Sequence, residues 1–150
     1  MFDDYKEAHA AADDLKAGEV RGVEPAIRFL KADVNEFGAG YAKEDLWRYL
    51  SRVPLTGRQK ERLLQVARQY LGRRMTREFW QMCRFVGRIA DEGFAACVED
   101  LNGASKDEGV RQRASLLAAY LRGPGEGEKE RRRFTRRVRY GKVEVTTDEA

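Results

Sequence analysis

The stretch Phe79-Trp80-Gln81-Met82-Cys83-Arg84-Phe85-Val86 has apolar residues at offsets 0, 4 and 7, namely Phe79, Cys83 and Val86. These offsets place three side chains on one stripe of an α-helix. The same offsets occur 33 residues earlier and 31 residues later. The two further trios are Leu46, Leu50 and Val53, and Val110, Ala114 and Leu117. A stripe that recurs at this interval is typical of stacked helical repeats, in which each unit buries its apolar face against its neighbours.

Capping and breaking residues predict about seven helices, which begin near residues 3, 24, 42, 56, 76, 91 and 105. Pro25 is placed at the first position of the second helix. Capping boxes are predicted at Thr56 with Gln59 and at Ser105 with Glu108, and single caps are predicted at Thr76 and Asp91. Short connections predict contacts between the second and third, the fourth and fifth, and the sixth and seventh helices.

The last pair of helices resembles a HEAT repeat. Residues 94–101 are similar to the first helix of that motif, and residues 107–111, with Ala114 and Leu117, are similar to its turn and second helix. The resemblance extends over residues 24–122 and implies an all-α, right-handed α–α superhelix, a HEAT-like array of helical hairpins that presents a surface to a partner. Residues 41–46 and 52–56, followed by 77–79, also resemble small bacterial HEAT-like proteins with no assigned activity.

A change in composition divides the chain after residue 122. Residues 1–122 are predicted to form a single helical-repeat domain, and residues 123–150 a Gly-rich linker and a short basic tail. Alternating apolar residues between 138 and 145, around Gly141-Lys142, indicate a small hairpin or edge strand. Because an isolated hairpin is marginal in water, the tail is expected to be mobile unless it docks on the helices.

The net charge of +4 is distributed unevenly along the chain. Residues 1–40 carry a net charge of −4 and residues 41–90 a net charge of +8. A basic segment of this size favours an anionic partner, either an acidic protein surface or, as the alternative, a nucleic-acid backbone. A competing interpretation is a solvated face that forms ion pairs with the acidic first helix.

Two tryptophans and eight arginines are the candidate partner-binding residues. Trp47 and Trp80 occupy the same repeat position, so they either pack between helices or are displayed as aromatic anchors. The expected surface is that of the third, fifth and seventh helices, extended by the tail. The candidate arginines are Arg48, Arg52, Arg84 and Arg88 in the basic segment, and Arg132, Arg133, Arg136 and Arg137 in the tail.

No catalytic constellation is evident in the sequence. A Ser–His or Cys–His pair would have to use His9, which is the one histidine, and neither cysteine belongs to a Cys-x-x-Cys motif. We therefore expect a protein that is not an enzyme and that uses no cofactor, metal or small-molecule substrate. The enzyme alternative requires a cleft that gathers Asp91 with the tryptophans, as in HEAT-like DNA glycosylases.

The sequence also predicts a cytoplasmic protein. No apolar run approaches the roughly 20 residues that span a bilayer. The start, Met1-Phe2-Asp3-Asp4, lacks the basic and apolar regions of a secretion signal. Cys83 and Cys97 are expected to be reduced apolar residues on helical stripes.

Overall fold

The computed structural model describes residues 2–34, 38–73, 75–139 and 147–148, and the fold in these ranges is all-α, as predicted. The helices of the described chain are α1 (Phe2–Lys16), α2 (Val23–Ala32), α3 (Ala39–Tyr49), α4 (Gly57–Leu71), α5 (Phe79–Ile89), α6 (Glu92–Ala104), α7 (Glu108–Arg122) and α8 (Pro124–Arg139). Two 3₁₀ turns cover Val20–Gly22 and Leu50–Arg52. Two short strands, β1 (Met75–Thr76) and β2 (Thr147–Asp148), pair in parallel.

Alternate helices pack side by side. Helix α1 contacts α3, α3 contacts α5, and α5 contacts α7, so these four helices form one row. Helices α2, α4 and α6 pack against members of this row, and the predicted pairs α2–α3, α4–α5 and α6–α7 all touch. Helix α8 packs against α7 and α5 at one end of the row.

The three apolar trios line the core, which confirms the prediction drawn from their spacing. Eight of the nine side chains are buried, and Val110 is half-buried. Leu50 and Val53 lie beyond the end of α3 but remain buried, because the 3₁₀ turn carries the chain on along the same face.

Two predicted helix caps are confirmed. Thr56 Oγ1 accepts the backbone N–H of Gln59 at 3.1 Å, and Gln59 Oε1 accepts the backbone N–H of Thr56 at 2.9 Å. This reciprocal pair is the capping box of α4. At the start of α6, Asp91 Oδ1 accepts the backbone N–H of Phe94 at 2.7 Å.

Two other predicted caps were wrong. Thr76 lies in β1, and α5 begins three residues later, after Glu78. Helix α7 is capped by Asp107, whose Oδ1 accepts the N–H of Val110 at 3.0 Å, whereas Ser105 accepts the N–H of Asp107. The aspartate directly precedes the helix and thus takes the capping position. Pro25 is the third residue of α2, where its missing N–H is also not needed.

The Thr56 cap gives a first stability prediction. Thr56→Ala is expected to lower the free energy of unfolding by about 1 kcal/mol, because the N–H of Gln59 loses its acceptor. Thr56→Ser keeps the hydroxyl and should retain most of that free energy. Urea unfolding of both variants checks this, and equal losses in the two would show that the hydroxyl does not cap α4.

Residues 124–139 form helix α8, where a Gly-rich linker and the start of a basic tail were predicted. The tail was expected to be mobile unless it docks, and in this part it docks. Gly123, with φ of 152°, separates α7 from α8, and Pro124 starts α8 at a position that needs no N–H. Phe134 is buried, so α8 is docked on the helices beneath it. The hairpin predicted around Gly141-Lys142 falls outside the described residues.

Candidate functional site

Trp47 is part of the core and is not a displayed anchor. Its side chain is fully buried on α3. The indole ring lies 6.0 Å from the Tyr70 ring in an edge-to-face arrangement and 5.6 Å from the Phe85 ring. Helix α3 has α1 on one side and α5 on the other, so Trp47 is surrounded by protein. Trp47 is therefore a packing residue and not the partner-binding residue that was predicted.

Trp80 is half-buried and is covered by α8. The Phe134 ring lies 5.6 Å from the Trp80 ring, and the Arg131 guanidinium lies 5.1 Å from its centroid. The two tryptophans in register are therefore both packed, with different neighbours. Trp80 contributes to the docking of α8 more than to an open surface.

The basic segment 41–90 is partly neutralised within the chain. Half of its twelve basic residues form ion pairs in the described structure. These residues are Lys43, Arg48, Arg62, Arg73, Arg77 and Arg84. The segment is thus partly ion-paired, but the acidic partners of these six residues, which include Glu24, Asp33, Glu44 and Glu128, all lie outside the first helix, where the competing interpretation expected them.

The four candidate arginines of this segment differ in their environments. Arg48 is exposed and lies 3.5 Å from Glu44 Oε1 on the same helix. Arg52 donates to the backbone oxygen of Lys16 at 3.1 Å. Arg84 pairs with Glu128 on α8, so it holds that helix and is not free for a partner. Arg88 is exposed and has no ion pair with a described residue.

Helix α8 carries the most concentrated positive charge, with seven basic and three acidic residues between 124 and 139. Five cations at offsets 0, 3, 4, 7 and 8 share its outer side, and we call them the basic face. They are Lys129, Arg132, Arg133, Arg136 and Arg137, all exposed. Among them, only Arg133 forms an ion pair with a described residue, Glu130. Four of the candidate residues are thus brought together on one rigid element.

The opposite side of α8 faces α5 and α7. Gly127 and Phe134 are buried there, and Arg131 lies between them in the helical sequence and stacks on Trp80. Arg84 on α5 forms an ion pair with Glu128 at one edge of this contact. The hydrogen bond from Arg84 lowers the pKa of the Glu128 carboxyl. The basic face is therefore presented by a helix that is anchored from below.

A buried polar cluster, which the sequence analysis did not predict, joins α2, α3, α4 and α5. Lys43 Nζ lies 2.9 Å from Asp33 Oδ1 and 3.9 Å from Glu78 Oε1. The Tyr70 hydroxyl donates to Glu78 Oε1 at 3.4 Å, and Trp47 Nε1 donates to the Tyr70 hydroxyl at 3.5 Å. Lys43 and Glu78 are both 1% exposed, so the pair is removed from solvent.

Burial governs the ionisation of this cluster. It raises the pKa of the Glu78 carboxyl, and the Lys43 ammonium opposes that shift. The pKa of the Tyr70 hydroxyl is raised well above its ordinary value. Burial is the largest cause, and the negative charge of Glu78 is the next. Since Lys43, Tyr70 and Glu78 are closed off from solvent, the cluster stabilises the packing of four helices.

One signal could have found Lys43. Its position continues the buried stripe of α3 at spacings of four and three, between Ala39 and Leu46. A lysine on an apolar stripe indicates a buried cation with a partner. Its partners, Asp33 and Glu78, lie 10 and 35 residues away, and no comparable pattern in the sequence identifies them as buried acids.

The described residues contain no group of three or more His, Cys, Asp or Glu side chains that could hold a metal ion. His9 is exposed, and Asp91 is exposed and engaged as the cap of α6. Cys83 is buried and Cys97 is half-buried, and both are free thiols. Within the same described ranges, no helix combines the length and apolarity that crossing a membrane requires.

Comparisons of this chain with protein-family models, curated proteins and solved structures give no significant match.

Proposed function

We propose that this protein is a non-catalytic binding module that recognises an acidic protein surface through the basic face of α8. The observation that carries the proposal is the uncompensated charge of that face. Lys129, Arg132, Arg136 and Arg137 are exposed and form no ion pair within the described chain. Arginine forms planar, bidentate hydrogen bonds with carboxylates, which makes an acidic surface a well-matched partner.

The rest of the chain would serve as the scaffold for this face. The row of α1, α3, α5 and α7 supports a HEAT-like array, in which we infer a right-handed superhelix with α8 at its end. Terminal units of such arrays have a polar outer side that keeps the apolar seam from water. Capping alone requires only polar residues, so the concentration of arginine on α8 supports a second role in recognition.

The composition of the basic face favours a protein over a nucleic acid. Stacking of bases needs displayed aromatic rings, and the basic face contains none. Tyr41, the exposed aromatic residue of the described chain, lies on α3 with the Arg77 guanidinium 3.6 Å from its centroid.

A nucleic-acid backbone is the second candidate. It is favoured by a sequence pI of about 9.2 together with a continuous stripe of cations on one helix. Such binding would depend on phosphate contacts and would weaken steeply with salt.

Charge reversal on α8 tests the proposed function. Arg132→Glu with Arg136→Glu should weaken binding of fluorescently labelled poly-L-glutamate roughly tenfold or more, because two attractions become repulsions. The matched control is Arg58→Glu with Arg68→Glu on α4, where both arginines are exposed and have no ion pair with a described residue. Fluorescence anisotropy at about 100 mM salt checks both variants. At this ionic strength the Debye length is about 10 Å, so contacts between the basic face and the probe are still felt.

A random-sequence RNA duplex and a DNA duplex provide the second arm of this experiment. Tighter binding of a duplex than of poly-L-glutamate, with a steep salt dependence, would replace the acidic protein by a nucleic acid. Equal losses in the α8 and α4 variants would show that the basic face is not the site. An absence of binding to all three probes at low salt would overturn both candidates.

A further inference from the structure

Helix α8 packs along α7 and touches α5, yet it buries few of its own side chains. In the described range its buried residues are Gly127 and Phe134, and Val138, one turn beyond Phe134, is 38% exposed. The Arg131–Trp80 stack also contributes, as does the Arg84–Glu128 ion pair, whose side chains are 42% and 30% exposed. Partly exposed ion pairs contribute little to stability, so α8 depends mainly on its packing against α7 and on the Phe134 contact.

Gly127 sets how closely α8 approaches α7. A Cβ atom added at this position would lie 2.2 Å from Cδ1 of Tyr120, well inside contact distance. Gly125, two residues earlier and on another side of the same helix, has nothing within 4 Å of such an atom. The backbone of α8 at Gly127 therefore rests directly on the Tyr120 ring, and even a methyl group there would push the helix away.

Cys83 lies beneath α8. Its side chain is fully buried on α5, one helical turn from Trp80 and next to Arg84, both of which contact α8. Burial raises the pKa of the Cys83 thiol, and the charges that also act on it are those of Arg131 and Glu128, both on α8. Cys83 thus lies on the part of α5 whose neighbouring residues Trp80 and Arg84 contact α8, and departure of that helix would open this part of α5 to solvent.

The basic face weakens helix α8 itself. Lys129 and Arg133, Arg132 and Arg136, and Arg133 and Arg137 are each four residues apart in the sequence. Like charges at this spacing destabilise a helix. Gly123, with φ of 152°, lies directly before α8. Because glycine permits a wide range of backbone dihedral angles, α8 can change its direction relative to α7 at this residue.

We propose that α8 is a strap that opens and closes over Cys83, and that an anionic partner on the basic face holds it closed. Neutralisation of the basic face removes the repulsion, so the partner binds the closed helix more tightly than the open segment. At a concentration of 100 times its Kd, a ligand specific for the closed state lowers the open fraction about 100-fold. By linkage, loosening the strap weakens partner binding in proportion to the closed fraction that remains. The identity of the partner rests on the proposed function, whereas the opening does not.

Thiol labelling measures the opening. In a Cys97→Ser background Cys83 is the one remaining cysteine of the chain, so its reaction with a thiol reagent reports its exposure. Gly127→Ala is expected to increase the labelling rate about tenfold or more, since it forces an overpacked contact with Tyr120. Gly125→Ala is the matched control, and should leave the rate unchanged or lower it, because alanine favours the helix.

Phe134→Ala provides a second loosening variant in case Gly127→Ala fails to fold, which circular dichroism would reveal. It should also accelerate labelling. Global unfolding rates of all variants, measured by urea jump, separate opening of α8 from unfolding of the whole chain. The strap would be overturned if the labelling rate equalled the global unfolding rate in every variant. It would also be overturned if Gly127→Ala and Phe134→Ala were labelled no faster than Gly125→Ala.

Poly-L-glutamate at 100 times its Kd tests the coupling and should slow labelling about 100-fold. If poly-L-glutamate binds but leaves the labelling rate unchanged, the coupling is wrong. If it does not bind at all, the proposed function fails, while the comparison of the glycine variants still decides whether α8 opens.

Discussion

Replacing Lys43 by methionine is expected to lower the free energy of unfolding by roughly 3–5 kcal/mol at neutral pH. Lys43 is 1% exposed, and its ammonium is the cation that compensates the buried Glu78 carboxylate. Methionine fills a similar volume, so the loss reflects an uncompensated charge more than a cavity. Urea unfolding monitored by circular dichroism measures it.

Second variants identify the cause of this loss. Lys43→Met combined with Glu78→Gln should recover much of the stability, because neither buried charge then remains. Lys60→Met, on the exposed side of α4, is the control and should change stability by less than about 0.5 kcal/mol. A double variant no more stable than Lys43→Met alone would show that the two charges are not coupled.

The pH dependence of this loss follows from the pKa of Glu78. A carboxyl whose pKa is raised by folding favours the protonated folded state, so its contribution to stability is lost as the pH rises from its unfolded pKa, about 4.3, through the folded value. Without Lys43 the folded pKa rises further. The destabilisation by Lys43→Met should therefore shrink below about pH 4 and grow toward neutral pH. The same destabilisation at both pH values would contradict this assignment.

Trp47→Ala is the second large prediction, with an expected loss of roughly 3–5 kcal/mol of unfolding free energy. The indole is fully buried between Tyr70 and Phe85, and its removal leaves a large cavity at the centre of the helix row. Trp47→Phe keeps much of the ring volume and should cost distinctly less.

Trp80→Ala is the natural comparison, because it occupies the same repeat position. Its indole is only half-buried, so its loss should destabilise the fold less and mainly loosen α8. Thermal unfolding of the three variants tests the ranking. A larger loss for Trp80→Ala than for Trp47→Ala would contradict the placement of the two rings.

Local periodicity explains what could be predicted from the sequence. The trios were recognisable because a helix returns to the same face after four and seven residues, a rule that needs no knowledge of neighbours. The capping box at Thr56 was recognisable for a similar reason, since its partners lie three residues apart. The cap of α7 was mistaken because Ser105 and Asp107, two residues apart, both suit a capping position. Thr76 was mistaken because it pairs in β1 and does not start α5.

Features that depend on distant neighbours were not predictable in this way. The equivalent positions of Trp47 and Trp80 gave no sign that one faces the interior of the row and the other faces α8. Helix α8 was taken for a linker because glycine is a poor helix former. At Gly127, however, the missing side chain is what lets the helix rest on Tyr120.

Buried charges were missed for the same reason. Arg113 is 9% exposed, and its Nε donates to the backbone oxygen of Leu71 at 3.0 Å, at the end of α4. These residues are 42 positions apart, and the bond satisfies a carbonyl that the helix leaves open. Like the Lys43–Glu78 pair, this contact arises only when helices distant in the sequence pack together.

A residue-resolved NMR titration of the intact protein with poly-L-glutamate tests the proposed binding face most directly. We predict that chemical-shift changes concentrate on backbone amides 129–137 of α8, while amides 58–68 of α4 stay near their starting positions. Changes centred on α4, or spread evenly over both helices, would contradict recognition by the basic face.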